Sequence, residues 1–367
     1  MILLVGCIDP YSPPVIEQGS AALVIDGFIN VSGESTIQLS RTQNLIDAEV
    51  PQVETGATLW LEDETGIKIY LFETEHGKYF LPAQNFASHT YRLNIQTQNL
   101  REYRSSFESV KISPAIDSVT WNLTDNNSVQ IKVNTHDVGN EEGFYRWTFD
   151  ETWLYTSADE SIYVYDYPSR SVQLRTDNIY QCYRTDKSSD LLIESTIRLS
   201  KNIVRDYPLK RISPNSERLR YKYSILTRQY AITQDAFNYW QQLKKTTEDL
   251  GTLFGPIPGQ VTGNFQSLND SNEPVIGYFA IGSVTTKRIF ISFLELPTPT
   301  FYDIPYRDCE IYSLFNPDVQ NFSGPYLLTH GIPNPNGPGI IGYYYGIASC
   351  IDCRLSGGVN TKPDFWE

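Results

Sequence analysis

The run Ala57-Thr-Leu-Trp-Leu-Glu62, then Asp63-Glu-Thr-Gly66, then Ile67-Lys-Ile-Tyr-Leu-Phe72 reads as strand, turn, strand. Leu59 and Leu61 alternate with Thr58, Trp60 and Glu62, the period-2 pattern of a half-buried strand. Asp63 and Gly66 supply turn chemistry between the two runs. The same grammar recurs on both sides of this hairpin. Upstream are Leu23-Val-Ile-Asp-Gly-Phe-Ile29 and Thr36-Ile-Gln-Leu-Ser40. Downstream come a His76-Gly77 turn, Tyr79-Phe-Leu81, Tyr91-Arg-Leu-Asn-Ile95 and Glu102-Tyr-Arg-Ser-Ser106. About seven short strands at roughly 8–12-residue spacing predict an immunoglobulin-like β-sandwich over residues 21–113. The boundary falls near Ile112-Ser-Pro114.

A second, larger β-rich domain is predicted over 114–367. Ile116-Asp-Ser-Val-Thr-Trp121, Val129-Gln-Ile-Lys-Val133 and Phe144-Tyr-Arg-Trp-Thr-Phe149 read as strands, and Ser195–Leu199 and Leu219–Leu226 extend the sheet. One segment departs from the β pattern. Thr233 can cap a helix through about Leu250, with Phe237, Trp240, Leu243 and Leu250 on one face. Gly251 and Gly255-Pro256 end it. Strands resume at Ile276–Ile281 and Arg288–Phe293; from Pro297 the tail is rich in Pro, Gly, Tyr and Asn and reads as loops. The fold class is mainly β, with one amphipathic helix and a tail that needs a covalent clamp.

Cysteines offer that clamp. Cys182, Cys309, Cys350 and Cys353 form an even set once Cys7 is set aside, which suggests two disulfides in an exported protein. Three pairings are open; Cys182–Cys353 with Cys309–Cys350 is the expectation. Cys350-Ile-Asp-Cys353 also has redox spacing, but Gly357-Gly358 close behind argues against the helix such a site uses. A metal site lacks partners, because His76, His89, His136 and His330 are scattered; no metal or other cofactor is expected.

Cys7 ends the run Leu4-Val-Gly-Cys7, which resembles a bacterial lipobox. Residues 1–6 then read as the remnant of a signal peptide whose start lies upstream, and Cys7 as the lipid-bearing residue. Residues 7–20, rich in proline, read as a tether. A net charge of −14 excludes broad electrostatic binding to nucleic acid or to an anionic membrane, so attachment rests on lipid.

Several blocks together resemble a Bacteroidota outer-membrane lipoprotein family of uncharacterised function, a domain-of-unknown-function 4249-like family. They are Cys7-Ile-Asp-Pro-Tyr-Ser-Pro-Pro14, Leu23-Val-Ile-Asp-Gly27, Leu39-Ser-Arg-Thr42 and Gly56-Ala-Thr-Leu-Trp-Leu. Tyr223-Ser-Ile-Leu, Phe237-Asn-Tyr-Trp240, Val261–Phe265 and Val275–Ala280 follow. The end, Cys350–Gly358 with Lys362-Pro-Asp-Phe-Trp366, is the most distinctive. The resemblance implies a gene beside a SusC-like TonB-dependent barrel and attachment to the outer membrane, with the cell surface as the expected side. Only Asp9 is acidic just behind Cys7, which leaves the periplasmic face open. The resemblance implies no catalytic residues.

Catalytic motifs are absent from the sequence: there is no GxSxG, HExxH, P-loop, or GxGxxG with a following acid. Glu141-Glu142 reads as a solvated turn. Asp125-Asn-Asn127 and Asp270-Ser-Asn-Glu273 are oxygen-rich loops conceivable for calcium, without EF-hand spacing. Tyr155, Tyr163, Tyr165 and Tyr167 form a dense aromatic cluster, the last three alternating. They read either as strand aromatics packed on a neighbouring loop or as a partner-binding face. Three function classes follow. The first is a non-enzymatic accessory subunit of a SusC-like barrel that aids substrate capture or uptake. The second is a freestanding binder of glycan or peptide; the third is a hydrolase or assembly factor.

Overall fold

A computed structural model describes residues 22–43, 52–87, 89–139, 143–248, 261, 263–297, 309–316 and 318–367. Its elements are overwhelmingly strands, as the alternating sequence requires. The lipobox, Cys7, the tether, Glu141, Glu142 and Leu250 lie outside the described residues.

The chain divides into two compact units, residues 1–112 with 232–283, and 113–231 with 284–367. This corrects the predicted contiguous domain over 114–367. The first unit is built around the hairpin Thr58–Asp63 and Lys68–Glu75. Lys68–Glu75 belongs to both layers of the sandwich. Its first half pairs with Thr58–Asp63, placing Leu71 opposite Leu59, and its second half pairs with Lys78–Leu81. Leu23–Gly27 and Ser35–Arg41 continue one layer; Thr90–Gln96 and Glu102–Ser105 continue the other. Leu23, Ile37, Leu39, Leu59, Leu61, Leu93 and Ile95 fill one core between them. The predicted sandwich is therefore present, but it is completed by segments from beyond the second unit's first half. Phe265–Ser267 pairs with Glu102–Ser105, and Val275–Ile276 lies parallel to Leu23–Gly27. Parallel pairing needs a long connection, so a reading of neighbouring runs does not see it.

The helix spans Gln234–Glu248, and the Thr233 hydroxyl accepts from the Ala236 N–H at 3.3 Å, as a cap should. It was expected in the second domain; it packs in the first unit. Ala236, Phe237 and Tyr239 are its buried residues, and the Tyr239 ring lies 5.3 Å from that of Tyr278. Trp240 and Leu243 stay partly exposed.

In the second unit Ile116–Leu123, Val129–His136 and Ile203–Ile212 form one antiparallel sheet. Phe144–Thr156 is the centre of another, flanked by Gln181–Lys187 and Lys222–Ala231, with Val284–Ser292 beyond. Trp147, Phe149, Ile131, Val133 and Ile225 belong to one buried cluster. The indole N–H of Trp147 donates to Gln229 Oε1 at 3.0 Å, and the Gln229 amide donates in turn to the Pro114 carbonyl and the Thr135 hydroxyl. This satisfies polar groups that burial would otherwise penalise. Two local expectations are corrected. The strand near Ser195–Leu199 is Leu192–Ser195, with a turn behind it. The tail is not mainly loop: Ile311–Phe315, Tyr326–Pro333 and Ile340–Ile347 form a three-stranded sheet with the last strand in the middle.

Candidate functional site

The predicted partner-binding tyrosines separate into different roles. Tyr155 is 1% exposed, and its hydroxyl donates to the Cys353 carbonyl oxygen at 2.6 Å. Tyr165 is 7% exposed; its hydroxyl donates to the Gln320 carbonyl at 3.0 Å and its ring meets Phe322 edge-on at 5.6 Å. Both are core residues, which corrects their assignment to a docking face. Tyr163 is half-buried, edge-on to Tyr343 at 5.0 Å. Tyr167 alone is well exposed, at 56%, and leans on Tyr165 at 4.9 Å. Tyr155 lies in the second unit's main cluster with Trp153, Cys182 and Cys353, whereas Tyr163 and Tyr165 are covered by the tail sheet. Its inner face carries Leu328, Leu314, Tyr326, Tyr343 and Tyr345, and these cover the hairpin strand Tyr163–Asp166.

All four predicted cysteines pair, Cys182 with Cys353 and Cys309 with Cys350, as expected. The two bridges hold the short turns Ala348–Ile351 and Cys353–Ser356 against the second unit. Val359 then exchanges backbone hydrogen bonds with Tyr183 at 2.7 and 2.9 Å. Trp366 packs edge-on to Tyr183 and Phe290, while the Arg288 guanidinium lies 3.5 Å from the Phe365 ring centroid. The distinctive C-terminal motif is thus a clamp.

The outer face of the tail sheet is different. Ile311, Phe315, Ile340 and Tyr344 stand on it, each more than a third exposed, with Phe315 at 49%. A Cβ at Gly346 would stand 3.0 Å from Ile311 Cδ1 and 3.3 Å from Cδ1 of the buried Ile351. Clustered apolar exposure of this kind marks interaction surfaces.

The family model described as "Domain of unknown function (DUF4249)" matches residues 8–288, more than half of the chain. The chain belongs to the DUF4249 family. Among solved structures, a two-domain fibronectin type III segment of chicken tenascin is similar at 8% identity, covering 56% of this chain and 88% of that one, with a TM-score of 0.17. No curated protein matches. The DUF4249 match ends before the tail sheet, so Ile311, Phe315, Ile340 and Tyr344 lie beyond it, as do Cys309, Cys350 and Cys353.

The oxygen-rich loops of this DUF4249 chain are occupied by protein groups. Glu273 Oε1 accepts from the Tyr103 hydroxyl at 2.7 Å and from Arg101 at 3.0 Å; Oε2 accepts from the Ser267 hydroxyl at 3.0 Å. Asn126 Oδ1 accepts from Thr124 and Arg211 inside a hairpin turn. Among the described residues, no group of three or more His, Cys, Asp or Glu is placed to hold a metal ion, and no helix is long and apolar enough to cross a membrane. Sequence reasoning missed the outer-face residues of the tail. The alternation Ile311-x-Ser313-x-Phe315 was the available signal.

Proposed function

We propose that this DUF4249 chain is a non-enzymatic outer-membrane lipoprotein, lipidated at Cys7, that docks as an accessory subunit on a SusC-like TonB-dependent barrel and aids substrate capture or uptake. The observation that carries the reading is the half-exposed strip of Ile311, Phe315, Ile340 and Tyr344. A chain of net charge −14 has little use for electrostatic attachment, and an apolar strip on a clamped sheet offers the alternative. Two further features support it. Disulfides fit an oxidising compartment. A lipid tether confines the chain near a barrel, so that even a modest contact persists through effective concentration. The cell surface is the side proposed.

The test is recovery of the barrel with the tagged chain from detergent-solubilised outer membranes. Phe315→Asp combined with Tyr344→Asp changes half-exposed positions and should leave the fold intact, yet lose the barrel. Equal recovery by parent and variant places docking elsewhere, and no barrel with either rejects the accessory role.

A further inference from the structure

A polar cleft of about 310 Å³ opens in the second unit between residues 160–162 and 174–180. Its volume suits a small ligand. Several lining groups are unpartnered among the described residues: the Glu160 carboxylate, the Thr176 hydroxyl and the Tyr180 hydroxyl make no hydrogen bond or ion pair there. Between them sits Arg175, whose side chain is only 9% exposed. Its Nε donates to the Ser161 hydroxyl at 2.9 Å and one terminal nitrogen donates to Asp177 at 2.9 Å, which leaves further N–H donors unspent.

The walls are fixed before any ligand arrives. The Arg175 N–H donates to the Ile162 carbonyl at 2.8 Å, joining one wall to the other. The Cys353 N–H donates to the Ile179 carbonyl at 2.9 Å, and the Asn360 amide donates to the Asn178 carbonyl at 2.7 Å. The Cys182–Cys353 bridge follows two residues after Tyr180. A site so pre-ordered loses little conformational freedom on binding.

We propose that this cleft binds a neutral sugar. An anion is disfavoured, because Glu160 is an uncompensated carboxylate and the guanidinium of Arg175 is already matched by Asp177. A purely apolar ligand would strand the unpartnered polar groups. A pyranose answers both constraints. Its vicinal hydroxyls donate to Glu160 and accept from Arg175, while hydroxyls of Thr176 and Tyr180 do either, and its carbon face lies against Ile162. Barrel docking is a separate matter: this site needs no barrel and lies on other residues than the apolar strip.

Calorimetric titration of the purified chain with glucose, galactose, mannose, N-acetylglucosamine and their disaccharides tests it, with glucosamine and gluconate as charged controls. At least one neutral sugar should bind saturably. Glu160→Ala and Thr176→Ala, both at exposed positions without partners among the described residues, should each weaken it, by about tenfold for Glu160→Ala since a bond to a charged group is lost. The proposal is overturned if no neutral sugar saturates, if both variants bind as the parent does, or if only a charged control binds.

Discussion

The Tyr155 hydroxyl donates to the Cys353 carbonyl oxygen across 2.6 Å, although 198 residues separate them in sequence. This bond ties the central strand of the second unit to the turn that carries the Cys182–Cys353 bridge. Burial pushes the Tyr155 phenol above its ordinary range, so it remains a donor at physiological pH. Tyr155→Phe keeps the ring and strands a buried carbonyl, and should cost about 1–3 kcal/mol. Urea unfolding under non-reducing conditions measures this; an unchanged midpoint would show that the bond contributes nothing.

The Cys309–Cys350 bridge closes a loop with a sequence separation of 41. Replacing both cysteines by alanine should lower stability by about 4 kcal/mol on the chain-entropy account. Peptide mapping without reductant should recover this pair and Cys182–Cys353 as the only cross-links. Recovery of a Cys350–Cys353 cross-link instead would contradict the arrangement.

Asp63 governs acid sensitivity at the first hairpin. Burial pushes its carboxyl up, but hydrogen bonds from the Thr65 hydroxyl, the Ile67 N–H, His89 and the Thr65 N–H outweigh this and hold it at about 2. The folded value lies below that of an unfolded aspartate, about 3.9. Stability from this group is therefore complete above about pH 4 and is lost as the pH falls towards 2. Carbon-detected NMR of the Asp63 carboxyl should give a midpoint near the lower value. A midpoint in the ordinary range would remove the argument, and Asp63→Asn should flatten this part of the stability profile.

Glu273 is saturated by Arg101, Tyr103 and Ser267, so the acidic loop that holds it has no vacancy for calcium. Millimolar calcium and EDTA should leave the melting temperature unmoved. Glu273→Gln should lower stability by about 1–3 kcal/mol, because bonds to a buried carboxylate are lost. A calcium-dependent rise in melting temperature that Glu273→Gln abolishes would refute this assignment.

Cys7→Ser, expressed with a full signal peptide, should release the chain from the outer-membrane fraction. On the proposed function lipid is the anchor, since the chain carries a net charge of −14, and stable anchoring takes more than one acyl chain. A variant that still sediments with membranes would end the lipoprotein reading.

Legibility followed periodicity. Leu59, Leu61, Leu71, Leu93 and Ile95 are buried where alternation placed them, because an antiparallel sandwich buries one side of each strand. The tail sheet was hidden by its own composition: Gly331, Pro333, Gly342 and Gly346 dilute the β signal in the strands they occupy. Whether Tyr165 faced solvent depended on a covering sheet whose strands begin well over a hundred residues later, and alternation alone carries no such information. Cysteine count indicated two bridges, since parity needs no geometry. The cleft at Glu160 and Arg175 had no signal at all, because two segments of ordinary polar sequence form it only once folded.

The main chain leaves the first unit after Ile112, returns at Ile232 and leaves again after Ser283. Leu23–Gly27 therefore waits for its parallel neighbour, Val275–Ile276, until most of the polypeptide has been made. Cys182 meets its partner, Cys353, at a later point in synthesis still. The first unit is complete only once Ser283 has been made and the second only with the tail, and an early fragment presents an open β edge to its neighbours. Carboxyl-terminal truncation therefore acts on the two units unequally: a chain stopped before Val275 leaves both incomplete, and one stopped after Ser283 spares the first.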